Sequence, residues 1–258
     1  MSTKFLCSVA GAVVAGAFSA SSASGALVTY NIVQAQSTLT VGGTLTGNFA
    51  SEQTSGSLTT SYTGTIVANR NPGSIEFPGG SVIDAALQPQ NQQPRADTTP
   101  GNQPADYGRT APGPFGSTAL EAIRGLLLDV FDDTSGVGST VNGAGQFSSQ
   151  NLVLVIDQGE GDVSYGTGTD ENDFTGLGTS NGASTASTVI TSGTVETLTL
   201  RFSTGPMTYA VSSSGDSSLT FSGTIVATRN VVIPEPVGLS ALAVGGLLLV
   251  RRRRDSDA

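Results

Sequence analysis

The sequence predicts an all-β fold, and three features of the residue pattern lead to that prediction. Val28, Tyr30 and Ile32 alternate with polar residues, which is the period of two typical of a half-buried strand. Residues 152–156 form an uninterrupted apolar run of the length of a buried strand. Between such runs the chain is rich in Thr, Ser and Gly, which supply frequent turns. The simplest arrangement of these strands is a two-sheet sandwich of jelly-roll character.

One short sequence occurs twice in the predicted β region. Residues 64–71 read GTIVANRN and residues 223–230 read GTIVATRN, so seven of the eight positions are identical. The two copies are too far apart to be units of a repeat protein. They predict either duplicated edges of one sandwich or a favoured strand sequence used twice.

Two segments interrupt the alternation. Residues 88–116 contain six prolines separated mainly by Gln, Asn, Asp and Gly, which predicts a mobile surface loop or, alternatively, a functional arm. In residues 117–130 the apolar spacing suits both a helix and a strand, and we expect a short helical turn that runs into a buried strand.

The first 26 residues have the three regions of a secretory signal peptide. Lys4 supplies the positive charge, residues 5–18 are apolar, and residues 19–26 are mostly small. We expect cleavage after Ala26, with Ser24 and Ala26 at the small-residue positions, and cleavage after Ser24 is the alternative. The first domain boundary therefore falls at residue 26.

The region between the two ends is acidic and lacks the usual catalytic side chains. Residues 27–233 contain no Cys, His, Trp or Lys, and their seventeen acids outnumber six arginines, which gives a net charge near −11. Disulfides are therefore excluded, and a Ser nucleophile would lack its base. Such a surface repels nucleic acid. We therefore predict a non-enzymatic protein with no catalytic residues.

Acidic residues follow the apolar run at 152–156, and Ca²⁺ is the cofactor that they suit. Carboxylates on a glycine-rich loop can hold Ca²⁺, which accepts variable geometry, although the spacing matches no EF-hand. The favoured interpretation is nevertheless a solvated loop whose charge supports solubility, with no cofactor bound, and Ca²⁺ binding is the alternative. The candidate ligands are Asp157, Glu160, Asp162, Asp170 and Asp173.

The C-terminal segment, residues 231–258, has three parts in a fixed order. Pro234, Glu235 and Pro236 end any regular structure, because two prolines remove N–H donors and fix the backbone. Residues 237–250 are apolar and uncharged, which predicts a single membrane helix, although fourteen residues span only about 21 Å of a core of about 30 Å. The cations that follow orient this helix with the preceding domain outside. They are Arg251, Arg252, Arg253 and Arg254.

This three-part segment resembles the PEP-CTERM sorting signal of bacterial surface proteins. The resemblance implies that an exosortase, a membrane-embedded transpeptidase, recognises the chain in the inner membrane and processes it near the proline motif. It also implies an organism that makes exopolysaccharide. A plain membrane anchor with a coincidental Pro-Glu-Pro is the alternative.

Together these features predict three parts: a signal helix (1–26), a β-sandwich (27–230) and a sorting signal (231–258). We expect an exported protein that is first held in the inner membrane and then reaches the cell surface or extracellular matrix. The expected role is structural or adhesive, with exopolysaccharide as a candidate partner. A carbohydrate- or calcium-binding module is the alternative.

Overall fold

The computed structural model describes residues 25–45, 49–50, 58–94, 102–112, 118–133, 138–165, 168–211 and 215–232. Strands hold 74% of these residues and helix 2%, and the helical residues are a single 3-10 turn at Gln34–Gln36. The predicted all-β class is therefore confirmed. The apolar part of the predicted signal helix and the predicted membrane helix at 237–250 lie outside the described residues.

Twenty strands occur in the described part of the chain. In chain order they are β1 Ala26–Ile32, β2 Thr38–Gly42, β3 Thr44–Leu45, β4 Phe49–Ala50, β5 Thr59–Asn71, β6 Ser74–Glu76, β7 Val82–Ala85, β8 Gln88–Pro94, β9 Asn102–Ala105, β10 Tyr107–Pro112, β11 Thr118–Asp132, β12 Ser139–Thr140, β13 Gln146–Phe147, β14 Leu152–Tyr165, β15 Gly168–Asp173, β16 Gly178–Ser180, β17 Ser187–Ser192, β18 Val195–Ser203, β19 Met207–Val211 and β20 Gly215–Asn230.

Sixteen of these strands form one sheet, whose main path runs β13-β17-β18-β20-β1-β5-β7-β11-β14-β15. The remaining strands form two small ladders, β3–β4 and β8–β9. Every ladder with a described register is antiparallel, and the long strands change partners along their length. The first part of β20 pairs with β19 and the rest pairs with β18, while β11 pairs first with β10 and then with β7.

The two copies of the repeated sequence enclose the N-terminal strand. One copy lies in β5 and the other in β20, and β1 lies between them through the pairs Ala26–Arg70 and Asn31–Thr228. β2, which follows the 3-10 turn, likewise lies between β5 and β20. The prediction that the copies form edges is therefore wrong, because both β5 and β20 have neighbours on each side.

The buried side chains form one continuous core. Period-two burial is clear in β18, where Glu196, Leu198, Leu200 and Phe202 are buried and the residues between them are not. The core draws apolar side chains from strands throughout the chain, including β1, β5, β11, β14 and β20. One contiguous core of this kind is typical of a single domain.

The proline-rich segment differs from its prediction as one surface loop. Its described residues form β8, β9 and β10, and β10 pairs with β11 over six residue pairs. Tyr107 and Arg109 of this segment are fully buried. Residues 118–132 are likewise one strand without the expected helical turn, because this strand is paired with β14 over nearly its whole length.

Candidate functional site

Side chains from four strands converge on the carboxylate of Glu196. Its Oε1 accepts a hydrogen bond from the Tyr30 hydroxyl at 2.6 Å and one from Arg229 Nε at 2.7 Å. Its Oε2 accepts a hydrogen bond from Thr191 Oγ1 at 3.1 Å and lies 3.5 Å from Arg70 Nε. Arg70 and Arg229 occupy the same position in the two copies of the repeated sequence. The two copies of the repeated sequence therefore place equivalent arginines beside the same carboxylate, that of Glu196.

The electrostatics of this Glu196 cluster keep it charged. Burial raises the pKa of Glu196, but the hydrogen bonds from Tyr30 and Arg229 outweigh burial, so the pKa is lowered below its usual value. Burial and the neighbouring Glu196 carboxylate raise the pKa of Tyr30, which therefore stays protonated and donates. The guanidinium carbon of Arg229 lies 5.4 Å from the centre of the Tyr30 ring, which is cation–π distance.

Arg70 also borders a surface cavity of about 390 Å³. Pro72, Asn142 and Thr191 line the same cavity. The Nη1 of Arg70 donates to the carbonyl oxygens of Asn71 and Ser74, whereas its buried Nε makes no hydrogen bond. The 3.5 Å contact with Glu196 is therefore an ion pair rather than a hydrogen bond, so Arg70 is held less tightly there than Arg229.

A second charged group is fully enclosed. Arg109 of β10 donates from Nε to Glu121 of β11, and from Nη2 to the Tyr209 hydroxyl of β19 at 2.6 Å. Its Nη1 donates to the carbonyl oxygens of Gly42 and Ser218. Burial lowers the pKa of Arg109, but the adjacent Glu121 carboxylate outweighs burial and the pKa is raised. A single guanidinium on β10 thus contacts four other strands, β2, β11, β19 and β20.

Arg124 and Asp162 form a third buried pair, on neighbouring strands β11 and β14. Arg124 also donates to the backbone carbonyls of Gln103 and Pro104, which attaches β9 to the sheet. Nearby, Asp106 accepts a hydrogen bond from the backbone N–H of Leu126 at 2.9 Å. Burial raises the pKa of Asp106 to about 6.

The five predicted calcium ligands lie on strands rather than on a loop. Asp157, Glu160 and Asp162 are in β14, and Asp170 and Asp173 are in β15. The alternation of the β14–β15 ladder, with Glu160 opposite Asp173, separates them between two faces.

The environments of these acids also differ. Asp162 is buried against Arg124, whereas Asp157 and Asp173 are exposed. Burial, followed by the nearby charge of Asp129, raises the pKa of Asp157, and hydrogen bonds from Thr175 lower that of Asp173. Among the described residues, no group of three or more acids could hold a metal ion.

A cleft of about 420 Å³ opens beside the Arg124 pair. It is lined by charged, amide and hydroxyl side chains together with glycine backbone. These residues are Arg124, Gly125, Gln158, Gly159, Glu160, Glu171, Asp173 and Thr175. The mixture provides both donors and acceptors for a polar ligand, and it brings two of the predicted acids, Glu160 and Asp173, to one surface.

The residues predicted for sorting lie outside the described part of the chain. They are Pro234, Glu235, Pro236 and Arg251, Arg252, Arg253 and Arg254, and Ser24 at the signal-peptide boundary lies there too. Ala26, the other predicted cleavage residue, begins β1. Within residues 25–232, as far as they are described, the structure contains no helix with the length and hydropathy of a membrane span.

Sequence reasoning missed the three buried charged groups. The repeated Arg-Asn ending indicated that Arg70 and Arg229 were related, but Tyr30 and Glu196 carry no local signal of their own. Arg109 lies in the proline-rich segment, where burial was not expected. Pairing between distant strands creates each of these groups.

Comparisons with family models, with curated proteins and with solved structures found no match to this chain.

Proposed function

We propose that this chain is a secreted, non-enzymatic protein of the bacterial cell surface or extracellular matrix, sorted through its C-terminal signal. The observation that carries the proposal is the order of Pro234-Glu235-Pro236, the apolar run at 237–250 and four terminal arginines. The signal would hold the precursor in the inner membrane until an exosortase processes it. Exopolysaccharide is the proposed environment of the mature protein.

The positions of the chain ends support this proposal. β1 is antiparallel to β20, and therefore Ala26 and Asn230 lie at the same end of these neighbouring strands. After β20, the side chain of Val232 is 89% exposed, so the chain leaves the domain at its surface. Both terminal segments are thus attached to one end of the domain, which leaves the other end free for contacts outside the cell.

The buried ion pairs support a structural role. The chain has no cysteine after residue 7, so the β domain cannot be cross-linked by disulfides. Arg109–Glu121 instead joins the consecutive strands β10 and β11, Arg124–Asp162 joins β11 and β14, and both pairs are at least nine-tenths buried. Such pairs specify which strands meet, although their net contribution to stability is small.

We also propose the finer architecture of a two-layer sandwich of jelly-roll character, flanked by the signal helix and the membrane helix. Contacts between strands that are not neighbours in the sheet support two layers. Tyr209 of β19 donates to Glu121 of β11, and its ring meets that of Phe174 with 4.9 Å between centroids.

The test is to express the chain in a host that has an exosortase and to map both termini of the product. We expect an N-terminus at residue 25 or 27 and a C-terminus near Pro234. The variant Pro234→Ala/Pro236→Ala should keep its C-terminal segment and stay in the membrane fraction. Full-length chain in the cytosol with both ends intact would contradict the proposal.

A second candidate function is carbohydrate binding, and the polar cleft beside Arg124 favours it. Acids, amides and a guanidinium are the groups that bind sugar hydroxyls, and Gln158, Glu160 and Thr175 line this cleft. Exopolysaccharide purified from the exosortase-containing host should raise the melting temperature of the native domain. The increase should be smaller for Gln158→Ala than for the control variant Gln36→Ala. Ca²⁺ added in a parallel titration tests the calcium alternative, and a flat response to both ligands would remove this candidate.

A further inference from the structure

Four exposed apolar side chains lie together at the end of the sheet where both chain termini emerge. Their exposed fractions are 66% for Leu27, 50% for Ile190, 38% for Val195 and 89% for Val232. We call these four residues the terminal patch. Two other large apolar residues among the described ones, Val82 and Leu87, are similarly exposed. Neither belongs to this end of the sheet.

The strand order brings the terminal patch together. Ile190, Val195 and Leu27 belong to β17, β18 and β1, and Val232 follows β20, so the four strands are successive neighbours β17-β18-β20-β1. The register is consistent with this, because Val195 pairs with Asn230 at the end of β20 and Ser192 pairs with Val195 at the end of β17.

The terminal patch lies on the outer face of the sheet. Glu196 and Leu198 of β18 are buried, so Val195 points to the other face. Val189 of β17 and Tyr30 of β1 are buried in the same way, which places Ile190 and Leu27 on the outer face as well. On β17, β18 and β1 the outward-facing apolar residues are therefore Ile190, Val195 and Leu27, while on β20 Val226 also faces outward and is partly exposed.

We propose that the terminal patch contacts the surface of the lipid bilayer while the precursor is anchored. This inference rests on the proposed function, because the apolar run at 237–250 must lie in the membrane. Five peptide units separate Val232 from Val237, so Val232 lies at most about 18 Å from the start of that run, and the other patch residues lie on strands beside β20. Apolar side chains held this close to a bilayer are stabilised at its interface.

The acids nearest the terminal patch have hydrogen-bonding or ion-pair partners. Glu196, the acid nearest the terminal patch on β18, is buried and paired with Arg229 and Arg70. Asp216 is exposed and lies at the opposite end of the 16-residue β20. Glu76 of β6, which is partly exposed, lies two strands from Leu27 on the same face and accepts a hydrogen bond from Asn69 Nδ2, so the negative charge at this end is reduced but not removed.

The absence of cysteine after residue 7 makes this orientation directly measurable. In the full chain with Cys7→Ser, a single cysteine is introduced at Val195 or Ile190, or at Thr208 on β19 as the distant control. Each is labelled with an environment-sensitive fluorophore. The protein is reconstituted into phosphatidylcholine–phosphatidylglycerol vesicles that contain a nitroxide-labelled lipid, and flotation is measured on the same samples.

We expect the chain to float with the vesicles and the probes at Val195 and Ile190 to be quenched at least twofold more than the probe at Thr208. Flotation with equal quenching at all three sites would show that the terminal patch does not contact the bilayer, and it would leave the proposed membrane anchor intact. Failure to float would overturn both. A fluorescence change that depends on protein concentration without vesicles would show that a second copy covers the patch, which also overturns it.

A second measurement tests the side chains themselves. The probe is attached at Ser192→Cys. Adding the double substitution Ile190→Asp/Val195→Asp should reduce its quenching by at least half relative to the protein with Ser192→Cys alone. Val82→Asp, at an exposed apolar residue outside the patch, should not change it. Because these positions are exposed, circular dichroism should show that both variants stay folded. Unchanged quenching in the folded Ile190→Asp/Val195→Asp variant would contradict the proposal.

Discussion

The Tyr30 hydroxyl lies 2.6 Å from Glu196 Oε1, although 166 positions separate the two residues in the chain. Tyr30 belongs to β1, and Glu196 belongs to β18 on the far side of β20. The bond therefore crosses the strand that carries Arg229, whose guanidinium group contacts both residues. This link joins the first and last thirds of the chain, and it can be tested by removing one oxygen atom.

Tyr30→Phe should destabilise the domain by about 1–2 kcal/mol, because Glu196 loses a buried hydrogen bond. The effect should depend on pH. The lowered pKa of Glu196 means that its contribution is present above its unfolded pKa, about 4.3, and is lost as pH falls through the folded value. The difference between wild type and variant should therefore shrink on acidification. Urea unfolding of both proteins at pH 7 and at about pH 3, well below the unfolded pKa, measures this difference.

Thr191→Val is the matched control, because it removes a longer bond to the same carboxylate at an exposed position. We expect it to cost less than about 0.5 kcal/mol. Equal losses for Tyr30→Phe and Thr191→Val would contradict the central position assigned to Tyr30.

Removing one member of the Arg109 pair should be far more costly than removing both. Arg109→Met should destabilise the domain by about 3–5 kcal/mol, because Glu121 would remain buried without its cation. The double variant Arg109→Met/Glu121→Leu should recover a large part of that loss, since neither charge is then buried. Chemical unfolding of the two single variants and the double variant gives the coupling energy. Additive losses would show that the two residues do not act as a pair.

Asp106 should make the domain less stable as pH rises from about 4 to about 6. Burial raises its pKa from the model-compound value of 3.8 to about 6, so between these values the folded form binds a proton that the unfolded chain does not. By linkage the loss is at most about 3 kcal/mol. Asp106→Asn keeps an oxygen acceptor for Leu126 and should flatten this slope, which thermal melts across the range would measure. Asp216→Asn, at an exposed position of β20 and not among the charges that shift the pKa of Asp106, is the control and should leave the slope unchanged.

The glycines that begin the two copies of the repeat should not tolerate a side chain. Gly64 and Gly223 have φ values of 111° and 145°, and a Cβ atom would lie 2.0 Å and 2.3 Å from the backbone oxygens of Val82 and Thr38. Gly64→Ala and Gly223→Ala should each cost about 3 kcal/mol or more, from backbone strain and overpacking together. Gly80→Ala, with φ of 82° but open space around it, should cost about 1 kcal/mol. Similar losses at all three positions in urea unfolding would show that only the backbone angle matters.

The all-β class was predictable because alternation is a local property. Val28, Tyr30 and Ile32 show it directly, and the apolar run at 152–156 became part of β14. The same local reasoning did not predict the strands in the proline-rich segment, residues 88–116. Tyr107 and Arg109 are buried there because β11 pairs with β10, and a pairing partner cannot be recognised from the composition of one segment.

The same limit applies to the candidate site. The repeat related Arg70 to Arg229, but only the folded sheet brings Glu196 of β18 within reach of both. The acids at 157–173 were expected on a loop because glycines separate them. In the structure they belong to the paired strands β14 and β15, and one of them, Asp162, forms an ion pair with Arg124. Charge spacing along a chain does not show which face of a sheet each charge occupies.

The central position of β1 sets the order in which the domain can be completed. This strand is synthesised before the other described strands. One of its two hydrogen-bonding edges cannot pair until residues 227–228 of β20 have been synthesised. Partners so distant in sequence make closure slow, because nearly the whole chain has to be in place before it occurs. A polypeptide that crosses a membrane N-terminus first would therefore carry an incomplete sheet until its last segment followed. Folding and export would then finish at almost the same moment.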